Sequence, residues 1–322
     1  MKKEAKYKIL MLGKPGGTLV RTFDWHISAL NNDNQDRFSV HDITAMSGQI
    51  NANEYNVFWF YAKGFNPNLY MNIKRLCPKA KIICGPNILL DKPDIGLSDD
   101  WDNWYANFCR PDLHLDQVEF YSNHVKKFLP KELSDVAKCL DKCMLIDDEY
   151  YNSSIKKEYD CLVYSKKRRY DYNFEDFRNN LINLLEKNNI SYYEIKSGKY
   201  GSYKREDYFS ALNKSRMTVN LSLDECPGIL NYESMFFNVP VIGSPHNTPI
   251  NSSEKYYVHD TDFMTEKYLV RTEDAAEKYF KIIKKCMDEK LLQDIDHREF
   301  IKSHTSFQKY TENVVKLLEE LV

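Results

Sequence analysis

Residues 219–243 read VNLSLDECPGILNYESMFFNVPVIG, and the reading of the whole chain turns on them. Val219–Ser222 is a short β-type run, and Asp224–Gly228 brings Pro and Gly into a tight corner. Asn231–Phe237 reads as the first turns of a helix, and Val239–Gly243 as a second apolar strand. Two carboxylates lie in this strand–loop–helix–strand unit: Glu225 in the loop and Glu233 in the helix, with seven residues between them. Open α/β sheets bind ligands outside the carboxyl ends of their strands, so both acids can face one crevice. Carboxylates accept hydrogen bonds from pairs of hydroxyls, which suits a neutral sugar. Backbone N–H groups of the intervening loop, at a helix N-terminus, suit a phosphate. Without that context, two acids beside a turn would simply be solvated.

The stretch resembles the sugar-nucleotide site of retaining GT-B glycosyltransferases, the family-4-like group also called glycosyl transferases group 1. Their pattern is Glu-Gly-Phe-Gly-Leu-Pro-x-x-Glu, a helix, then a Val-Pro-Val-Ile strand. Here it stands as Glu225-Cys226-Pro227-Gly228-Ile229-Leu230-Asn231-Tyr232-Glu233, closed by Val239-Pro240-Val241-Ile242. Both glutamates, Gly228 and the strand match, while Cys226 replaces the first glycine and Leu230 the proline. The resemblance implies an α/β GT-B fold, two Rossmann-like domains facing a central cleft. It also implies that Glu225 holds hydroxyls of the transferred sugar and Glu233 those of the ribose. Pro227, Gly228 and Ile229 would bring backbone close to the donor.

Composition sets outer limits. A chain of 322 residues suits two domains better than one. Hydrophobic residues make up 43%, enough for real cores. A net charge of −2 argues against a nucleic-acid partner held by bulk electrostatics. Eight cysteines are scattered without CxxC pairs, which suggests a reducing compartment. The opening MKKEAKYKILMLG continues as a strand and does not read as a signal peptide, and no run reaches membrane-spanning length. The expectation is a cytoplasmic protein.

Toward the N-terminus, Tyr7–Leu12 reads as a strand, followed by a glycine loop with Gly16 and Gly17 and a helix over Val20–Leu30. These glycines permit close approach of a ligand, although the GxGxxG fingerprint is absent. His26 sits where an inverting relative would place a general base, but a His beside Trp25 is more often packed. Arg37–Thr44, Asn56–Tyr61 and Lys81–Cys84 read as further strands, and Leu69–Leu76 as a helix. Asp91–Asp116 reads as irregular, Val118–Ser122 as the next strand, His124–Phe128 as a helix, and Cys143–Ile146 as the strand closing a domain over 1–150.

The second domain, expected over 151–305, opens with the strand Tyr159–Ser165 running into Lys166-Lys167-Arg168-Arg169, with a helix from near Asn173 to Lys187. Four basic residues between a strand and a helix N-terminus suit a pyrophosphate. The resemblance implies that Lys166 and Arg168 neutralise the diphosphate leaving group, with Lys167 beside them. Ser191–Ile195 is a strand, and the loop after it carries Tyr200 and Tyr203, which can stack on a base. A helix follows over Arg205–Ser215, then the unit quoted above. His246 is read as a polar loop residue. Glu273–Met287 is an amphipathic helix, and residues 306–322 form a C-terminal helix that in GT-B chains crosses back to the first domain.

Taken together, the resemblance implies a glycosyltransferase moving a sugar from a nucleotide diphosphate sugar to an acceptor hydroxyl, with retention, in glycan or polysaccharide synthesis. Glu225, Lys166 and Arg168 would be catalytic. Glu233, Gly228, Pro227, Ile229, Gly16, Gly17, Lys167 and Tyr200 would bind the donor. No cofactor is expected beyond the nucleotide-sugar co-substrate, and no metal, since no DxD stands at a strand end; Asp99-Asp100-Trp101-Asp102 falls in the irregular stretch. The acceptor can be a carbohydrate, a lipid-linked glycan or a protein, and peripheral membrane contact is compatible with these. Two other readings remain: a nucleotide-sugar epimerase of the same architecture, and a non-catalytic nucleotide-sugar-binding protein.

Overall fold

The computed structural model describes residues 4–13, 19–46, 50–61, 66–86, 109–116, 131–167, 173–197, 202–222, 229–243, 257–259, 271–288 and 296–321. The chain divides into two compact units, Met1–Leu145 with Ser303–Val322, and Ile146–Lys302.

The first unit is built on a parallel sheet. Its strands are β1 (Tyr7–Leu12), β2 (Phe38–Asp42), β3 (Val57–Phe60), β4 (Lys81–Cys84), β5 (Leu113–Asp116) and β6 (Ala137–Cys139), in the spatial order β2-β1-β3-β4-β5-β6. The central strands are near-continuous apolar runs, as parallel strands covered on both faces must be. Val57 to Phe60 are all buried, and Ile9 and Leu10 lie opposite Val57 and Phe58. Helix α1 (Leu19–Asn31) follows β1, and α2 (Pro67–Leu76) precedes β4 with Asn66 as its N-cap, accepting from Leu69 N. A short helix, α3, spans Lys131–Ser134. Gly85 ends β4 at φ +104°, where a Cβ would stand 2.2 Å from the Leu115 carbonyl oxygen, so only glycine fits between β4 and β5.

Two readings of this half are corrected. The expected irregular stretch Asp91–Asp116 ends in strand β5, Leu113-His114-Leu115-Asp116. Two of these four residues are polar, which hid the strand, yet His114 is fully buried. Cys143–Ile146, expected as a closing strand, pairs with no sheet; Met144 N instead donates to Thr305 O at 3.0 Å. Cys143, Met144 and Ile146 are buried without sheet pairing, while Leu145 is exposed. The expected strand Val118–Ser122 and helix His124–Phe128 lie outside the described residues.

The second unit carries a five-stranded parallel sheet of β7 (Tyr159–Lys166), β8 (Tyr192–Ser197), β9 (Ser215–Asn220), β10 (Val241–Gly243) and β11 (Tyr257–His259), ordered β11-β10-β9-β7-β8. Its helices are α4 (Phe174–Lys187), α5 (Arg205–Lys214), α6 (Ile229–Phe236), α7 (Ala275–Asp288) and α8 (His297–His304). Cys161, Val163, Val219 and Ile242 of the sheet pack with Phe177 and Leu181 of α4 and Tyr279 and Ile283 of α7 into one core. The strand expected at Val219–Ser222 begins earlier, at Ser215, and ends at Asn220; its polar start is recruited by pairing Ser215 with Tyr159. The last helix, α9 (Phe307–Glu319), belongs to the first unit. It packs on α1, where the Thr311 hydroxyl reaches Ala29 O at 3.2 Å, and Ser306 caps it by accepting from Lys309 N.

Candidate functional site

The strand order of the second sheet reverses between β7 and β9: β8 continues on one side of β7, and β9, β10 and β11 on the other. In doubly wound sheets such a reversal opens a crevice at the carboxyl ends of the two strands, because the following helices leave toward opposite faces. Lys166 is the last residue of β7, and Asn220 the last of β9. The site is therefore built at these two strand ends and on the helices that the chain forms after them.

A ladder of polar side chains joins β9 to α6. Thr218 and Asn220 share one face of the strand, and Asn231 and Ser234 share one face of the helix. The Thr218 and Ser234 hydroxyls meet at 2.8 Å, and Asn220 Nδ2 donates to Asn231 Oδ1 at 2.8 Å. Asn220 Oδ1 also accepts from Ser222 N at 3.0 Å, shaping the first step of the loop. All five residues are fully buried. Buried polar groups must be paired or cost stability, so this ladder permits one rotation of α6. That rotation places Glu233, one turn into the helix.

Glu233 is 5% exposed, and its Oε1 lies 3.6 Å from Arg205 at the start of α5. The Arg205 guanidinium stacks over the Phe209 ring at 4.6 Å. Tyr208, on the same helix, is fully buried; burial first, then the neighbouring Glu233 charge, push its phenol well above its ordinary pKa. Tyr203, 37% exposed, packs tilted on Tyr208 at 5.5 Å and edge-on against Tyr164 at 6.4 Å.

At the end of β7, Ser165 precedes Lys166 and donates to Glu194 at 2.6 Å. Arg178 of α4 forks onto the same carboxylate through Nε and Nη2. Burial pushes the Glu194 pKa up, but the Arg178 fork and the Ser165 hydroxyl outweigh it and hold the group below its ordinary value. Lys166 thus leaves a strand end pinned by a half-buried ion pair. Lys167, next to it, stands 3.9 Å from Glu175 in the first turn of α4.

Of the residues predicted from sequence, Lys166, Lys167, Ile229 and Glu233 are described: Lys166 ends β7, Lys167 follows it, and Ile229 and Glu233 lie on α6. Ile229 opens α6 and is half-buried. Glu225, Pro227, Gly228, Arg168, Tyr200, Gly16 and Gly17 lie outside the described residues, as do His246 and Asp99–Asp102. His26 is fully buried in the first unit, its pKa pushed down to about 3 by burial and by Lys142, so it cannot meet a substrate. Sequence reasoning missed Arg205 and Arg271. Arg271 is buried, stacks over Phe177 at 4.3 Å, and donates to the Leu221 carbonyl just past β9. Neither arginine belongs to a motif; only the polar start of a helical run, Lys204-Arg205-Glu206-Asp207, marked the first. Among the described residues, no group of three or more His, Cys, Asp or Glu is arranged to hold a metal ion.

Two parallel-sheet units, each with a reversal of strand order beside its first strand, give this chain the GT-B fold. Solved structures that share it include a trehalose-6-phosphate synthase studied for glycosyl transfer with retention (TM-score 0.60, 10% identity, 98% of this chain and 99% of that one). HepE from Anabaena, in complex with UDP-glucose, is another (TM-score 0.55, 11% identity, 98% and 100%). A third is TarM (TM-score 0.54, 12% identity), of which the chain spans about half, 54%, with 81% of its own length. The likeness at these identities is one of fold. No family model and no curated protein matches the chain by sequence.

Proposed function

We propose that this chain is a glycosyltransferase that moves a sugar from a nucleotide diphosphate sugar to an acceptor hydroxyl, with retention, in glycan or polysaccharide synthesis. The observation that carries the reading is Glu233: a buried carboxylate, paired with Arg205, on the helix that follows the strand reversal of the second sheet. A carboxylate buried to this degree is kept ionised at a cost in desolvation that a cation such as Arg205 offsets, so it stands ready as a hydrogen-bond acceptor. A ribose diol supplies two donors to such an acceptor. Lys166, at the end of β7, stabilises the charge that develops on the departing diphosphate, with Arg168 and the loop carrying Glu225, Pro227 and Gly228 completing the donor site. That diphosphate takes the proton from the acceptor hydroxyl, so no separate general base is needed. Tyr203, exposed beside Tyr208, offers a stacking face for the base, together with Tyr200.

HepE, alike in fold, was solved with UDP-glucose, which supports a nucleotide-sugar donor here. The described cysteines are all free thiols, in keeping with a cytoplasmic protein. Among the described residues no helix is long and apolar enough to cross a membrane. The acceptor is a carbohydrate, a lipid-linked glycan reached by peripheral membrane contact, or a protein. The test is a thermal-shift screen against nucleotides and nucleotide sugars, repeated with Glu233→Ala. One donor should raise the melting temperature of the native chain and leave the variant unmoved. Silence from every donor, or an equal shift in the variant, would remove the reading. Product analysis with the donor so found then separates transfer from epimerisation or mere binding.

A further inference from the structure

We propose that the solvent face of α2, with the turn that leads from it into β4, is a docking surface for an anionic lipid bilayer. The proposal goes beyond the donor-site reading: it stands on the first unit alone and does not depend on that reading.

Helix α2 is fastened on one side only. Tyr70 and Ile73 are buried, whereas Met71, Asn72, Arg75 and Leu76 are all exposed. At 3.6 residues per turn these four exposed positions fall on one continuous arc of the helix. Met71 is 56% and Leu76 61% exposed, and no other large apolar side chain among the described residues is more exposed than Leu76. Single exposed apolar residues are ordinary. Here two share one arc, with the exposed Arg75 between them.

The charge around them is of one sign. Residues 67–81, PNLYMNIKRLCPKAK, carry Lys74, Arg75, Lys79 and Lys81 and no acid, in a chain whose net charge is −2. Among the described residues, Asp112 is the acid that approaches them. Its carboxylate lies 3.9 Å from Lys74 and 4.0 Å from Lys81, and already accepts from Ile82 N at 2.8 Å. One acid shared by two lysines leaves the surface cationic. Arg75 and Lys79, both exposed, have no acidic partner among the described residues.

This chemistry selects a lipid surface. A stable protein interface covers about 800 Å² on each side around a packed apolar centre, which two separated side chains do not supply. Single-stranded nucleic acid needs aromatic faces for its bases to stack on, and the arc offers Met71 and Leu76 instead. A helix lying in a bilayer interface needs what is present: apolar side chains to enter the acyl boundary, and Lys and Arg beside them to meet anionic headgroups. Lys81 is the first residue of β4, so the surface lies at the amino end of that strand. Ligand crevices of doubly wound sheets lie at the carboxyl ends, and a bilayer docked here leaves that edge of the sheet open.

The experiment is co-sedimentation of the full chain with vesicles of phosphatidylcholine alone, and of phosphatidylcholine with about one third phosphatidylglycerol. The native chain should bind the anionic vesicles about tenfold more tightly or better. Arg75→Glu with Lys79→Glu should weaken that binding by about tenfold or more, and Met71→Ser with Leu76→Ser by about fivefold with no change of charge. Lys281→Glu with Lys284→Glu makes the same charge change at exposed positions of α7 and should leave binding close to that of the native chain. All the substituted side chains are exposed, and unchanged melting temperatures would show that the variants are folded. Equal binding, or none, to the two kinds of vesicle overturns the proposal. So does an α7 pair that loses as much as the charged α2 pair, or a serine pair that binds like the native chain. Inorganic phosphate at constant ionic strength should not displace the protein; displacement would mean a site for the free anion and would overturn the bilayer. None of these outcomes bears on the donor site.

Discussion

The two units repeat one topology and use buried polarity in opposite ways. Each sheet reverses its strand order beside its first strand, β1 in one and β7 in the other. In the second unit, the polar groups around the reversal are paired: Thr218 with Ser234, Asn220 with Asn231, Arg178 with Glu194, Arg205 with Glu233. In the first, the helix after the first strand buries His26 between aromatic rings. It stacks on Tyr310 at 4.5 Å and meets Tyr61 edge-on at 5.4 Å, and neither ring nitrogen has a hydrogen-bond partner. A paired network fixes the direction of a charge, whereas an aromatic stack fills space. The same wiring therefore carries a paired polar network beside the reversal in one unit and aromatic packing around α1 and α9 in the other. Fold alone does not place function.

The largest effect expected from this contrast is on stability in acid. The folded His26 has a pKa of about 3 against an ordinary value of 6.5, because burial and the charge of Lys142 disfavour its cation. Tyr61 and Tyr310, also facing it, have phenols raised well above their ordinary range by burial, so they stay neutral throughout. The unfolded chain takes up the His26 proton below pH 6.5 and the folded chain does not. Stability is therefore full above pH 6.5 and is lost as pH falls toward 3, by about 2 kcal/mol at pH 5 for this one group. His26→Phe keeps a stacked ring and removes the titration. Urea unfolding at pH 7.5 and pH 5 should show the native chain losing about 2 kcal/mol more than the variant between the two. Parallel losses in the two proteins would mean that the ring nitrogens are not sealed from protons, and the contrast between the units would weaken.

A somewhat smaller loss is expected from the paired side. Asn231→Leu puts a larger apolar group at a fully buried position, a change that simple burial would favour. It also leaves Asn220 Nδ2 without its partner, which costs about 1–3 kcal/mol. The variant should be less stable at neutral pH by roughly that amount and should bind the donor more weakly, because α6 loses the contact that sets its rotation. A variant as stable as the native chain, with intact donor binding, would show that α6 is positioned by apolar packing alone.

The same contrast explains what could be read from the sequence. Strands such as Tyr7–Leu12 and Lys81–Cys84 were legible because parallel, doubly covered strands are continuous apolar runs. Strand β5 was not, because His114 and Asp116 break the run while the fold buries the histidine. The helix that carries Glu233 was legible because it sits in a strand–loop–helix–strand context with a matching pattern. Arg205 lies 28 positions earlier, on another helix, so its pairing with Glu233 exists only after β9 and α6 are folded together. Motifs record residues close in sequence; long-range pairs of this kind leave no spacing to read. Cys143–Ile146 misled for the complementary reason, since an apolar run does not say whether its residues pair in a sheet; three of the four are buried here without doing so.

The smallest effect expected separates two neighbouring lysines. Lys166 is the last residue of β7, fixed by the Ser165–Glu194–Arg178 cluster one residue before it. Lys167 lies 3.9 Å from Glu175, which already offsets part of its charge. If the β7/β9 edge holds a diphosphate, the two should not contribute equally. Lys166→Ala should weaken binding of a nucleoside diphosphate by about tenfold and flatten its salt dependence. Lys167→Ala should do so by about threefold or less, because Glu175 competes with the phosphates for the Lys167 ammonium. Calorimetric titrations at two ionic strengths measure both quantities on the same samples. Equal losses, or the reverse order, would mean that the chain past Lys166 turns so that Lys167 meets the phosphates, and the strand end would then be support for the site rather than part of it.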